Sequence, residues 1–164
     1  MQSAQRARVA NMLGGLSVAI SDRVAAGSRE AGLVALDSHP GVSVAHLSRA
    51  LGRSHSATVR LVDGLVHAGL VAREAGEDAR AVALQLTDAG EAAASEVRHA
   101  RAACLDALVD VLGDDEVAGL EPVLEHLLAA SARDPDSRWR ICRLCEEPRC
   151  EHAQPCPVDE AAPR

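Results

Sequence analysis

Apolar residues in this chain recur in steps of three and four, with one short interval of strand-like patterning. Val9, Met12, Leu13, Leu16, Ile20 and Val24 mark one face of a first helix across residues 5–26. Ser28 can cap a second helix, 29–37, which stops at the turn Ser38-His39-Pro40-Gly41. Ser43 precedes Val44, Leu47 and Leu51, and Gly52 follows them, so a capped helix of about eight residues is expected there. Ser54 or Ser56 can cap the next helix, with Val59, Val62, Leu65 and Val66 inside and His55, Ser56, Thr58, Arg60 and Asp63 outside, ended by Gly69. The period then changes. Two β-prone runs, 70–73 and 81–86, flank the polar stretch 74–80 and predict a two-stranded wing. Thr87 or Asp88 can cap a long helix to about Leu112, and Asp114 another carrying Val117, Leu120, Val123, Leu124, Leu127 and Leu128. Pro122 predicts a kink or a later start in that last helix. From Arg133 the periodicity stops, and five of the seven prolines predict an irregular tail.

Composition narrows the class to mainly α. The 164 residues suffice for one domain with a short appendage, and Trp139 is the only aromatic residue, so the core must be built from Ala, Val and Leu. A net charge of −7 excludes a protein that coats nucleic acid through overall basicity, while leaving room for a small basic face. No export signal and no apolar run of membrane-spanning length is visible, which predicts a cytoplasmic protein.

A short helix, a tight turn, a second helix with a polar outer face and a β-hairpin form the arrangement that lays one helix in the DNA major groove. Ser54, Ser56 and Thr58 offer hydroxyls to phosphates, Arg60 a guanidinium able to fork onto a guanine edge, and His55 a further polar contact. Arg80 in the wing can reach a narrow minor groove. The run from Arg60 to Arg73 resembles the recognition helix and first wing strand of the MarR family. Asp78-Ala79-Arg80, followed by Leu86-Thr87-x-x-Gly90, resembles that family's wing signature and the start of the helix beyond it. The resemblance divides the chain into a MarR-type domain, 1–132, and a tail, 133–164. It implies a homodimer built from helices in 5–37 and 88–132, with the winged helix-turn-helix at 43–87 reading double-stranded DNA as a pseudo-palindromic operator. In that pattern Asp78 braces the wing. Ala79 stands where many relatives carry a second Arg, and Glu74, Glu77 and Asp78 make this wing acidic.

The tail carries the densest chemistry. Cys142, Cys145, Cys150 and Cys156 give C-x2-C-x4-C-x5-C, four soft ligands in 15 residues of a segment too polar to order itself by packing. Without an export signal, metal chemistry precedes disulfides as the reading. An iron–sulfur cluster and Zn2+ both fit. The Cys156-Pro157 ending and unequal spacing favour the cluster slightly. The single C-x2-C knuckle is fewer than zinc would favour, although His152 could replace a thiolate. A thiol–disulfide switch is the remaining alternative. The segment also resembles the cysteine loop of SoxR-type redox regulators, which closes with the same C-x5-C-P. Trp139 is expected over the site, against the dimer, or as an anchor to the last helix. Arg138, Arg140, Arg143 and Arg149 would offset thiolate charge. Cys104 is expected as an inert thiol in a helical stripe, and His46 and His67 as surface residues without a role. The expectation is a transcriptional regulator, a repressor and not an enzyme, whose operator affinity responds to the tail centre. The alternative is a regulator of the same fold that senses a small organic effector, with a structural zinc.

Overall fold

The computed structural model describes residues 2–24, 27–75, 82–145 and 155–162. Among the described residues, eight helices and one hairpin follow in order: α1 Gln2–Val24, α2 Ser28–Ser38, α3 Val44–Leu51, α4 His55–His67, β1 Val71–Ala75, β2 Val82–Leu86, α5 Asp88–Val109, α6 Asp114–Ser131, α7 Ser137–Ile141 and α8 Pro157–Ala161. The strands pair antiparallel from Val71 opposite Leu86 to Ala75 opposite Val82. Residues 41 and 42 run beside β2, with Gly41 N donating to Leu84 O at 2.9 Å and Leu84 N to Val42 O at 3.0 Å.

The core lies under the helix-turn-helix. Leu33 and Leu36 of α2, Leu47 of α3, Val62 and Leu65 of α4, Val71 and Leu84 of the hairpin and Ala94 of α5 form one buried cluster. Each sits on the inward stripe of its element, and each fully buried Leu or Val contributes about 1.5–3 kcal/mol. The caps follow the serines and threonines. Ser43 accepts from His46 N, Ser54 from Ala57 N and Thr87 from Gly90 N. Gly52 ends α3 in the left-handed region at φ 60°, which costs glycine no Cβ clash.

Several boundaries differ from those expected. Gly27 precedes α2, leaving Ser28 inside the helix. Gly113 precedes α6, where Glu116 accepts from its N–H at 3.0 Å and Asp114 belongs to the first turn. Helix α6 begins at Asp114 and passes through Pro122 without a break. Pro122 is exposed, so water can satisfy the carbonyl it leaves unbonded. The tail is more ordered than its prolines suggest, because Pro157 occupies the first turn of α8, where its missing N–H removes no bond.

Helices α1 and α6 cover little of this core. Val9, Met12, Leu13 and Leu16 of α1, and Leu120, Val123, Leu124 and Leu127 of α6, are exposed in the single chain. No residue of α6 is buried.

Candidate nucleic-acid interface and cysteine cluster

Helix α4 presents most of the expected DNA-facing set at its N-terminal end. Ser54, His55, Ser56 and Arg60 are exposed, and the Ser54 and Ser56 hydroxyls lie 3.4 Å apart. The helix N-terminus adds unpaired backbone N–H groups suited to a phosphate. Arg73 of β1 pairs with Asp63 at 2.6 Å and fixes the wing against α4. Arg80 and the bracing Asp78 lie outside the described residues.

Thr58 corrects the sequence reading. Expected on the outer face, it is fully buried. It precedes Val62 by four residues and continues the inner stripe, and its hydroxyl donates to Ser54 O at 3.1 Å. That bond satisfies a polar group the core would otherwise reject. Thr58 therefore leaves the set of residues able to touch DNA.

Thr87 and Gly90 explain their own spacing. The Thr87 hydroxyl donates to Gly69 O at 2.7 Å and accepts from Gly90 N at 3.1 Å. A Cβ on Gly90 would stand 2.0 Å from Leu70 O. The start of α5 is thus seated on the turn between α4 and the wing.

The tail folds back on the helix-turn-helix. At the start of α7 the buried Ser137 hydroxyl accepts from Arg133 N at 3.0 Å and Asp134 N at 3.1 Å. Arg140 donates to Asp134 at 2.7 Å, and this hydrogen bond holds the Asp134 carboxyl below the usual carboxylate range. Helix α7 so shaped lies against α3. Asp136 pairs with Arg49 at 3.5 Å.

His46, expected to be a surface residue without a role, is the second correction. Its ring meets Trp139 edge-on at 4.2 Å and 83°. His39 meets the same indole at 4.5 Å and 76°. Burial lowers the His46 pKa, Arg49 adds to the effect and Asp136 opposes it. Trp139 is therefore an anchor, but to α3 and the turn after α2 instead of the last long helix. No periodicity signals this contact, because it joins residues nearly a hundred positions apart. The Ser38-His39-Pro40-Gly41 turn and His46 carried no mark as its receptor.

Three of the four tail cysteines fall among the described residues. Cys142 Sγ and Cys156 Sγ are 3.9 Å apart. Cys145 shares a hydrogen bond with Cys142, which lowers the Cys145 pKa to about 7, with Arg101 of α5 assisting against burial. The same bond, with burial, pushes the Cys142 thiol up. Cys150 and His152 lie outside the described residues. Among the described residues no group of three or more His, Cys, Asp or Glu side chains is arranged to hold a metal ion. Cys142, Cys145 and Cys156 by themselves therefore form no such group. Arg138 pairs with Asp159 of α8 at 3.1 Å, and Arg143 donates to Arg140 O. Arg149 lies outside the described residues. Cys104 is half-buried on α5. No helix among the described residues is long and apolar enough to cross a membrane.

Comparison with known proteins agrees with this geometry. Residues 33–81 match the profile of the MarR family. No curated protein sequence matches the chain. A MarR family protein from Bacillus stearothermophilus is similar in structure, with TM-score 0.69, 24% identity, and coverage of 77% of this chain and 95% of that one. RV1404 from Mycobacterium tuberculosis gives TM-score 0.64 and 27% identity over 79% of this chain and 94% of its own. FabT from Streptococcus pneumoniae, solved in complex with DNA, gives TM-score 0.62 and 19% identity over 76% and 94%. The chain thus shares the winged-helix fold of these proteins, and its residues 33–81 are similar to the MarR family.

Proposed function

We propose that this protein is a homodimeric, DNA-binding transcriptional regulator, a repressor acting in the cytoplasm, whose affinity for a pseudo-palindromic operator responds to a metal centre held by Cys142, Cys145, Cys150 and Cys156. The observation that carries the DNA reading is the exposed end of α4, where Ser54, His55, Ser56 and Arg60 are all open to solvent on the helix that leads into the hairpin. Hydroxyls and the helix N-terminus would hold phosphates, and Arg60 would read a base edge. Arg80 would extend the contact from the wing. FabT, of the same fold, was solved with DNA.

The dimer is supported by the uncovered stripes of α1 and α6. Apolar faces of that extent on helices flanking a well-packed core mark an association surface. A two-fold pairing through them would set two α4 helices about one DNA turn apart.

For the metal centre, support comes from the thiol geometry. A tetrahedral ion with metal–sulfur bonds of about 2.3 Å keeps its sulfurs about 3.8 Å apart, close to the 3.9 Å between Cys142 and Cys156. Zn2+ and an iron–sulfur cluster are the two occupants that four thiolates suit.

Duplexes selected from a random library by the full-length protein provide the DNA test. Arg60→Ala is expected to weaken binding by about 1–3 kcal/mol and relax preference at one base pair in each half-site. Unchanged affinity and preference would refute the role of α4. Elemental analysis and an absorption spectrum of anaerobically prepared protein test the centre. Zinc with no iron or sulfide removes the cluster, and no metal in protein whose thiols are intact removes both.

A further inference from the structure

Helix α7 brings an arginine of the tail to the turn of the helix-turn-helix. A Cβ on Gly52 would stand 3.6 Å from Arg140 Cδ, so the stem of Arg140 runs past the turn between α3 and α4. Arg53 and Ser54 follow Gly52 directly, both are exposed, and Ser54 caps α4. The Arg140 guanidinium therefore lies within a side chain's length of the helix end where Ser54, His55 and Ser56 gather.

Contacts that involve none of the thiols hold α7 in this place. Trp139 sits edge-on to His39 and His46, and Asp136 pairs with Arg49 of α3 at 3.5 Å. Arg140 is oriented in turn by Asp134, to which it donates at 2.7 Å. That pair engages one nitrogen of a planar fork with five N–H donors, so it aims the guanidinium without exhausting it. An exposed ion pair of this kind is weak in water, whereas an arginine on a phosphate makes strong charge-assisted bonds.

The local charge has the sign a phosphate requires. Residues 133–143 carry four arginines against two aspartates, in a chain whose net charge is −7. Both aspartates are already matched, Asp134 to Arg140 and Asp136 to Arg49. In a docked helix-turn-helix the second helix enters the groove while the first crosses the backbone. The turn between them then lies beside phosphates.

Resting on the reading of α4 as the DNA-recognition helix, we infer that the tail belongs to the DNA-binding surface, with Arg140 of α7 binding a backbone phosphate next to the one held at the start of α4. Such a contact adds affinity and fixes register, but carries no base preference. It stands whatever occupies the tail thiols.

The test is the affinity of the full-length protein for a selected duplex, measured between about 0.05 and 0.2 M salt. Arg140→Gln is expected to make the slope of log affinity against log salt shallower by about 0.9 for each half-site, with base preference unchanged. Arg140→Lys, which keeps the charge, should retain the wild-type slope. Asp134→Asn keeps an oxygen for Asp136 N and removes a charge that repels phosphate, so it should tighten binding. A merely structural Asp134–Arg140 pair would instead make Asp134→Asn and Arg140→Gln weaken binding together. Emission of Trp139, the one Trp in a chain without Tyr or Phe, reports whether α7 keeps its seat. Should Arg140→Gln shift that emission, Asp134→Asn decides. A wild-type slope in Arg140→Gln, or an affinity of Asp134→Asn no higher than wild type, overturns the inference while the reading of α4 stands. A wild type that prefers no duplex overturns both.

Discussion

A glycine and a threonine at the foot of α5 carry more of the structure than their size suggests. Gly90 faces the Leu70 carbonyl so closely that any Cβ would overlap it, and the obstacle is backbone that cannot rotate away. Gly90→Ala is expected to destabilise the fold by about 1–3 kcal/mol, read as a lower urea midpoint. Thr87→Ala, which loses one cap and one bond to Gly69, should cost about 1 kcal/mol. His46 makes a pH prediction. Its folded pKa is lowered by burial and Arg49, against Asp136. The undocked imidazole therefore binds a proton near its ordinary value while the docked one does not. Docking is fully favoured above that value and is lost as pH falls through the lowered one. His39 and Arg138 also face the indole, so the wild-type change must be compared with a variant. Trp139 emission should shift to the red on acidification from pH 7.5 to about 5.5, and His46→Ala should lack that step.

At the scale of elements, α6 shows what a periodic pattern can and cannot say. Its leucines were legible as a stripe, and the stripe is real, yet no residue of the helix is buried in the single chain. Periodicity identifies an apolar face without naming what covers it. Leu124→Asp should therefore turn a dimer into monomers by sedimentation, weaken duplex binding and leave protomer helicity intact; an unchanged dimer would place the association surface elsewhere. The order from α1 to α6, the hairpin and the caps Ser43, Ser54 and Thr87 were readable, because caps and periods are local, whereas Ser28 and Asp114 lie one residue inside the helices they were expected to cap. Thr58 was misplaced because a threonine at the first inward position looks like a surface hydroxyl until the helix phase is fixed by Val62 and Leu65. The short helices α7 and α8 escaped notice because five residues do not complete a periodic pattern, and what orders them, the Ser137 hydrogen bonds to Arg133 N and Asp134 N and the burial of Val158, leaves no periodic mark. The seat of Trp139 on His39 and His46 was illegible for the same reason.

For the whole molecule, the exposed end of α4 proposed to read DNA, the uncovered apolar residues of α1 and α6 and the tail thiols all lie within one protomer. A net negative charge does not prevent the proposed DNA contact, which needs only the local face at the exposed end of α4. Such binding should be salt-dependent but modest in slope, because few arginines are available to phosphates. The most direct test is the dissociation constant of the full-length protein for a selected duplex, measured at one fixed salt concentration on anaerobically prepared protein before and after removal of its metal. Specific binding is expected in at least one of the two states, with a change of about five-fold or more between them. The same constant in both states, or no preference for the selected duplex in either, would contradict it.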